Sequence, residues 1–397
     1  MPEKLGCSNC GSDRVSLFYE LKQIPVHSVV LMRSQEEALG IERADINLGF
    51  CDTCGFIGNF AFQENLINYA AEYESTQAYS PTFTTFHQQL ATHFINRYDL
   101  HGKDIIEIGC GHGEFLKLLC RLGNNRGLGF DPAYRRDTEN ERENGDVRFI
   151  NDYYSEKYAD SPADFIASKM TLEHIFETRA FMSQLRRALG SNTGAIVFVQ
   201  VPDATRILGE TAFWDIHYEH CCYFTPTSLS TVFQESGFDV IDVRRAYYDT
   251  YLIAEAKPRT TTNEHPVSEK QDLAEVRALV AHFKKNYAGI TARWKERIRE
   301  LQESGQRTVL WGSSSKATAF LSTLGVVDGI EYVVDINPFR QETFMPGTGQ
   351  RIVSPEFLRE YRPDNIIVIN PIYCDEVQKT IDSVGVKARL TTPQEEI

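Results

Sequence analysis

Two groups of residues carry most of the chemistry in this chain. Cys7 and Cys10 stand in CSNCG, and Cys51 and Cys54 stand in CDTCG, each a Cys-x-x-Cys pair with glycine directly behind. Four soft thiolates in this spacing make the donor set of a closed tetrahedral zinc site, with no open position for water. Such a site builds a scaffold and leaves catalysis to other residues. The remaining cysteines, Cys110, Cys120, Cys221, Cys222 and Cys374, lack ligand spacing and read as core or loop residues. The second group is FWDIHYEHCCYF, in which His217, Tyr218, Glu219 and His220 follow one another between Trp214 and Tyr223. Titrating and hydrogen-bonding side chains at that density mark a reactive site, and a neutral imidazole suits proton removal near neutral pH.

The elements that must position these groups begin at KDIIEIGCGHGEFLKLL. Ile105, Ile106 and Ile108 predict a buried strand, and Gly109, Gly111 and Gly113 predict a tight turn. Phe115, Leu116, Leu118 and Leu119 supply the apolar stripe of a following helix. Strand, glycine turn and helix in that order bring backbone close to a ligand at the carboxyl end of the first strand of an open α/β sheet. Glu107 lies inside the strand, and the third glycine arrives one residue earlier than in the dinucleotide fingerprint, which favours S-adenosylmethionine over NAD. A second strand, RGLGFDP, ends at Asp131, 131 − 109 = 22 residues beyond Gly109. That is the spacing of an acid that accepts from ribose hydroxyls. A purely local role for Asp131, opening a turn with Pro132, stays open at this point.

Length and composition frame these motifs. The 397 residues are 42% hydrophobic, enough for two or three packed domains. A formal net charge of −14 with a pI near 5.3 argues against bulk attraction to nucleic acid or anionic lipid, so the expected partner is a small molecule. No apolar run has membrane-spanning length, and MPEKLGCSNC has no signal-peptide core. The expected location is cytoplasmic, where thiols stay reduced and paired cysteines hold metal. VRFIND, DFIASKM, GAIVFVQVP and DTYLIAEAKP supply further strands, and the polar stretch KPRTTTNEHPVSEK, residues 257 to 270, reads as a linker. From Gln271 to Glu303 a helix is expected, with Leu273, Val276, Leu279, Val280 and Phe283 on its packed face. TVLWG, EYVVDI and NIIVINP then restart an α/β pattern. The expected division is a zinc-binding lobe (1–70), a nucleoside-binding α/β domain (71–257), a linker and helix (258–305), and a smaller C-terminal Rossmann-like α/β domain (306–397).

EIGCGHGEFL and DFIASKMTLEHI together resemble the class I S-adenosylmethionine-dependent methyltransferases. With the zinc pairs ahead, and SSSKATAFLSTLG and DINPFRQETFMPGT behind, almost the whole chain resembles the sugar C-methyltransferases, which act on nucleotide-linked ketosugars. The resemblance implies a zinc ribbon lobe, a class I (Rossmann-like) methyltransferase domain, and a C-methyltransferase C-terminal domain. It implies S-adenosylmethionine as methyl donor, held by Glu107, Gly109, Gly111, Gly113 and Asp131, and a structural zinc. His220 would be the general base, and Glu219 would orient it or hold a sugar hydroxyl. His174 would donate to the developing oxyanion, and Tyr79, in QAYSPTF, would be the active-site tyrosine. Lys316, Asn337 and Arg340 would meet the substrate diphosphate. The chain departs from the family in one place: His217 stands where tyrosine is expected and Tyr218 where the first histidine is. An O- or N-methyltransferase, or a binding module without catalysis, are the alternatives. The molecule is expected to be a monomer or homodimer.

Overall fold

The computed structural model describes residues 5–68, 73–134, 146–260, 270–326 and 328–396. Three antiparallel strands open the chain: β1 (Val15–Pro25), β2 (Arg43–Cys51) and β3 (Ile57–Asn59). Five parallel strands follow: β4 (Asp104–Ile108), β5 (Arg126–Phe130), β6 (Val147–Ile150), β7 (Phe165–Lys169) and β8 (Ile196–Pro202). The two-residue strand β9 (Cys222–Tyr223) leaves this region to pair with β3, so the N-terminal sheet is completed by residues immediately after His220. β10 (Phe238–Ala246) and β11 (Tyr251–Pro258) form a hairpin whose second strand runs antiparallel to β8. The last five strands are β12 (Thr308–Trp311), β13 (Tyr332–Val334), β14 (Arg351–Val353), β15 (Asn365–Val368) and β16 (Arg389–Thr391).

The central sheet has the order β10-β11-β8-β7-β4-β5-β6, and the C-terminal sheet, all parallel, has the order β14-β13-β12-β15-β16. In each, the first strand has its second and fourth strands as neighbours, the point at which strand order reverses and an open α/β sheet leaves a crevice for ligand. The right-handed βαβ connection forces this arrangement, because each helix must pack back on the sheet. The first such helix, Glu114–Gly123, buries Phe115, Leu116 and Leu119 against Phe165 and Phe198, as its apolar stripe requires.

Residues 261–269, most of the stretch whose composition marks a linker, lie outside the described residues. Beyond them the helix Lys270–Glu303 runs 34 residues, about 51 Å at 1.5 Å per residue. Its first half packs Val276, Val280 and Phe283 on Tyr19, Ile46 and Leu48 of the N-terminal sheet. Its second half packs Ile290, Trp294 and Ile298 on Phe320 and Leu324 of the C-terminal domain. One helix therefore braces the two outer lobes. Among the described residues no helix is long and apolar enough to cross a membrane.

Candidate active site

The four paired thiols converge. Cys7 and Cys54 stand 3.7 Å apart at sulfur, as do Cys10 and Cys51. A tetrahedron built on zinc–sulfur bonds of about 2.3 Å has edges of about 3.8 Å. The set fits zinc and is far too open for disulfides. Asn9 turns its amide toward Cys54 Sγ (3.6 Å) and donates to the Ser228 carbonyl (3.0 Å), which ties the knuckle to the methyltransferase domain.

At the carboxyl end of β4 the glycine turn is left-handed at Gly109 (φ 72°), Gly111 (φ 52°) and Gly113 (φ 74°). A Cβ on Gly109 would meet Thr171 Oγ1 at 2.0 Å and one on Gly113 would meet the Phe149 ring at 2.3 Å, whereas one on Gly111 would meet nothing within 4 Å. Gly111 thus offers bare backbone to open space. The Gly111 N–H donates to Asp131 Oδ2 (2.7 Å) and the Ala133 N–H to Oδ1 (2.7 Å), so Asp131 clamps the turn and opens the next one while lining the cavity. Each oxygen keeps a further lone pair. Glu107, buried behind the turn, accepts from the Leu116 N–H (3.0 Å), and burial pushes its carboxyl up to about 8.

The cavity, of about 950 Å³, extends from this turn across His174, His217 and His220 to the C-terminal domain. The His217 and His220 ring centres lie 3.8 Å apart, and His174 stands edge-on to His220 at 4.8 Å. Neither His217 ring nitrogen has a hydrogen-bond partner among the described residues, although the side chain is buried. Burial lowers all three. His217 falls to about 4, with Glu219 opposing. His174 is lowered by burial, opposed by Glu219, and His220, further depressed by His217, His174 and Lys316, lies well below the ordinary imidazole value. Burial thus disfavours the charged form of all three rings. Tyr79, half exposed at the rim, lies 6.4 Å from the exposed Phe339 ring.

Glu219 is occupied elsewhere. Its carboxylate accepts from the Ser28 N–H (2.9 Å) and the Ser28 hydroxyl, and stands 3.1 Å from His27 Nδ1. Burial raises this carboxyl, and the His27 and Ser28 contacts outweigh it, leaving it below the usual range. These contacts anchor Glu219, which the resemblance assigns to orienting His220 or holding a sugar hydroxyl, to residues 27 and 28 of the N-terminal lobe. Tyr73, in the cavity wall, has its phenol held well above the usual value by burial and by Glu219. Nothing in the spacing of the sequence joins positions 27, 28 and 73 to 219.

The opposite wall repeats the logic of the glycine turn. After β12, Gly312 (φ 93°) and Ser313 turn into the helix Ser315–Leu324, and Asp335 at the end of β13 accepts from the Ser313 N–H (2.8 Å) and hydroxyl (2.5 Å). Asn337 donates to Glu74 (3.1 Å), and Arg340 donates to the Ser313 carbonyl (2.6 Å) and the Glu74 carbonyl. These contacts of Arg340 are to neutral carbonyls, which leaves its charge for the cavity it lines. Lys316 instead is paired with Asp215, which also takes Arg206 at 2.6 Å. A phosphate at Lys316 therefore competes with a buried carboxylate, a partner invisible in the sequence.

A glycine turn and its acid at the switch point of a β10-β11-β8-β7-β4-β5-β6 sheet define a class I methyltransferase. Comparison with known proteins agrees. Residues 83–243 match the methyltransferase domain family and residues 252–388 the C-methyltransferase C-terminal domain family. The chain is similar to the C-methyltransferase NovU of Streptomyces niveus, 25% identical over 291 residues, covering 70% of this chain and 68% of that protein. Solved structures that resemble part of it include the magnesium protoporphyrin IX methyltransferase of Synechocystis PCC 6803 (14% identity, 48% of this chain and 91% of that one, TM-score 0.35). Another is the 1,6-didemethyltoxoflavin-N1-methyltransferase of Burkholderia thailandensis (14%, 45% and 82%, TM-score 0.35). The chain is an S-adenosylmethionine-dependent methyltransferase that joins a methyltransferase domain to a C-methyltransferase C-terminal domain.

Proposed function

We propose that the protein methylates carbon in a nucleotide-linked ketosugar, with His220 as the base that forms the enolate. The observation that carries this reading is the grouping of three histidines in one cavity whose other walls are two nucleotide-fold turns, Gly109–Gly113 with Asp131 and Gly312–Ser313 with Asp335. S-adenosylmethionine supplies an electrophilic methyl group. Asp131 would take the ribose hydroxyls of the donor, and Asn337 and Arg340 would meet the diphosphate of the acceptor. His220 removes the proton beside the ketone, and His174 donates to the oxygen on which charge develops. His217 and Tyr79 close on the sugar. Zinc at Cys7, Cys10, Cys51 and Cys54 holds the N-terminal lobe and takes no part in the reaction. The similarity to a C-methyltransferase supports carbon as the acceptor atom.

The test uses S-adenosylhomocysteine in place of the donor, because deprotonation needs no methyl transfer. In deuterated water the enzyme should exchange the α-proton of a ketosugar nucleotide, and His220→Ala should lose exchange and methylation together, by about 10²–10⁴-fold. Near wild-type methylation by His220→Ala refutes the base. A product carrying methyl on oxygen or nitrogen moves the enzyme to those classes.

A further inference from the structure

Glu173 has no part in the reading above, yet it lies beside His174 and His220. It sits in the turn Leu172–His174 directly after β7 and is 0% exposed. Neither carboxyl oxygen has a hydrogen-bond partner among the described residues. One of its oxygens and one ring nitrogen each of His174 and His220 all lie within 4.8 Å of one another. The other acids near the histidines are committed: Glu219 to His27 and Ser28, and Asp215 to Lys316 and Arg206. A buried acceptor with no donor is costly unless something reaches it during turnover.

We propose that Glu173 is the proton-accepting partner of His220, taking the proton from one ring nitrogen as the other takes it from the substrate carbon. The inference rests on the reading of His220 as base. The bookkeeping closes without creating a buried ion pair. The carbon-bound proton passes to His220, its electron pair enters the new C=C bond, and the carbonyl π pair moves to oxygen. The proton already on the far nitrogen of His220 passes to the Glu173 carboxylate. Imidazole is neutral before and after, and the single negative charge moves from Glu173 to the enolate oxygen. After the carbon attacks the methyl group and the carbonyl re-forms, Glu173 returns its proton through His220 to solvent, one proton per methyl transferred.

His220 alone is a weak terminal acceptor, since burial and then His217, His174 and Lys316 all disfavour its protonated form. Burial pushes Glu173 up to about 8, opposed only in part by its own backbone N–H and then by Lys169 at the end of β7, so this carboxyl is matched to a proton near neutral pH. The remaining titratable neighbours are His174 itself, His217 behind His220, Tyr251, whose phenol Glu173 helps to raise, Cys221, whose thiol donates to the Glu173 carbonyl (3.5 Å), and Cys222 beside it.

Glu173→Gln keeps the shape and removes the acceptor. Exchange and methylation should both fall by about 10²-fold, in kcat, while affinity for S-adenosylhomocysteine and the one bound zinc stay as in wild type. In wild type the rate should rise with pH through about 8, because the ionised carboxylate is the active form, and this rise should vanish in Glu173→Gln. Glu173→Asp should recover part of the rate and the pH dependence. A Glu173→Gln enzyme with wild-type rate overturns the proposal, and so does a slow one that keeps the wild-type pH profile. Loss of a second bound metal in that variant also overturns it, since the carboxylate would then be a ligand. If His220→Ala is inactive and Glu173→Gln is normal, only Glu173 falls; an active His220→Ala removes both.

Discussion

At the scale of single residues, the cavity is governed by which charges are already spent. Asp215 carries two cations, Lys316 and Arg206, in a site only 7% exposed. Burial works against its ionised form, and the two cations outweigh burial, leaving the carboxyl far below its usual range. Asp215→Asn leaves the partly buried Lys316 and Arg206 cations, 20% and 13% exposed, without their shared carboxylate, a change that costs up to about 3 kcal/mol. The sign of the pH dependence follows from the depressed value. The stabilisation is complete above the unfolded carboxylate pKa of about 4 and is lost only as pH falls below it. Denaturant titrations of wild type and Asp215→Asn should therefore differ by a constant amount from pH 5 to 7 and converge in stronger acid; a gap that is flat through pH 3 contradicts the pairing. At this scale the sequence revealed the histidines and the glycine turn, because adjacency and spacing report local chemistry. It concealed the burial of Glu173 and the contacts of Glu219 with His27 and Ser28, because burial of an acid and a pairing across 191 positions leave no local trace.

Among the elements, the turn after β4 separates two uses of glycine. Gly109 and Gly113 have no room for a side chain, with Thr171 and Phe149 in the way, and Gly111 has room but faces the cavity. Gly109→Ala and Gly113→Ala should each lower the melting temperature and weaken S-adenosylhomocysteine together. Gly111→Ala should cost about 1 kcal/mol for its left-handed backbone and lose binding out of proportion, because the added methyl stands where the ligand approaches. Calorimetry beside thermal melts checks this, and a Gly111→Ala protein that binds normally defeats it. Regular βα units such as β4 and its helix were legible from apolar period alone. The short strands were not: β9 has two residues, β14 and β16 three each, and β1 slips register twice against β2, so their pattern is too brief or broken to read.

For the whole molecule, the question is why a zinc lobe accompanies a methyltransferase at all. Its thiols lie far from the chemistry in sequence, yet the insert between the knuckles carries Ser28 to the centre of the molecule. There Ser28 holds Glu219 through its N–H and hydroxyl, stands 2.9 Å from Ser315 Oγ, and accepts from Thr318 through its carbonyl at 2.8 Å. One residue of the first lobe thereby joins the histidine segment of the second domain to the first turn of the helix Ser315–Leu324 in the third. The glycine turn takes no part in this junction. Zinc on the four thiols would therefore act at a distance, by fixing the strands from which the insert springs. Removing zinc with a chelator, or replacing Cys51 by Ser, should leave S-adenosylhomocysteine binding within about threefold of wild type, a difference under roughly 1 kcal/mol. Both changes should depress α-proton exchange and methylation, because the wall that carries His220 and the wall that carries Arg340 lose their common support. Ser28→Ala, with zinc in place, should reproduce the same pattern in milder form, by the loss of one hydrogen bond to a charged group worth about 1.5–3 kcal/mol. If zinc-free protein keeps full turnover, or if it loses donor binding and turnover in parallel, the lobe is not the support described here.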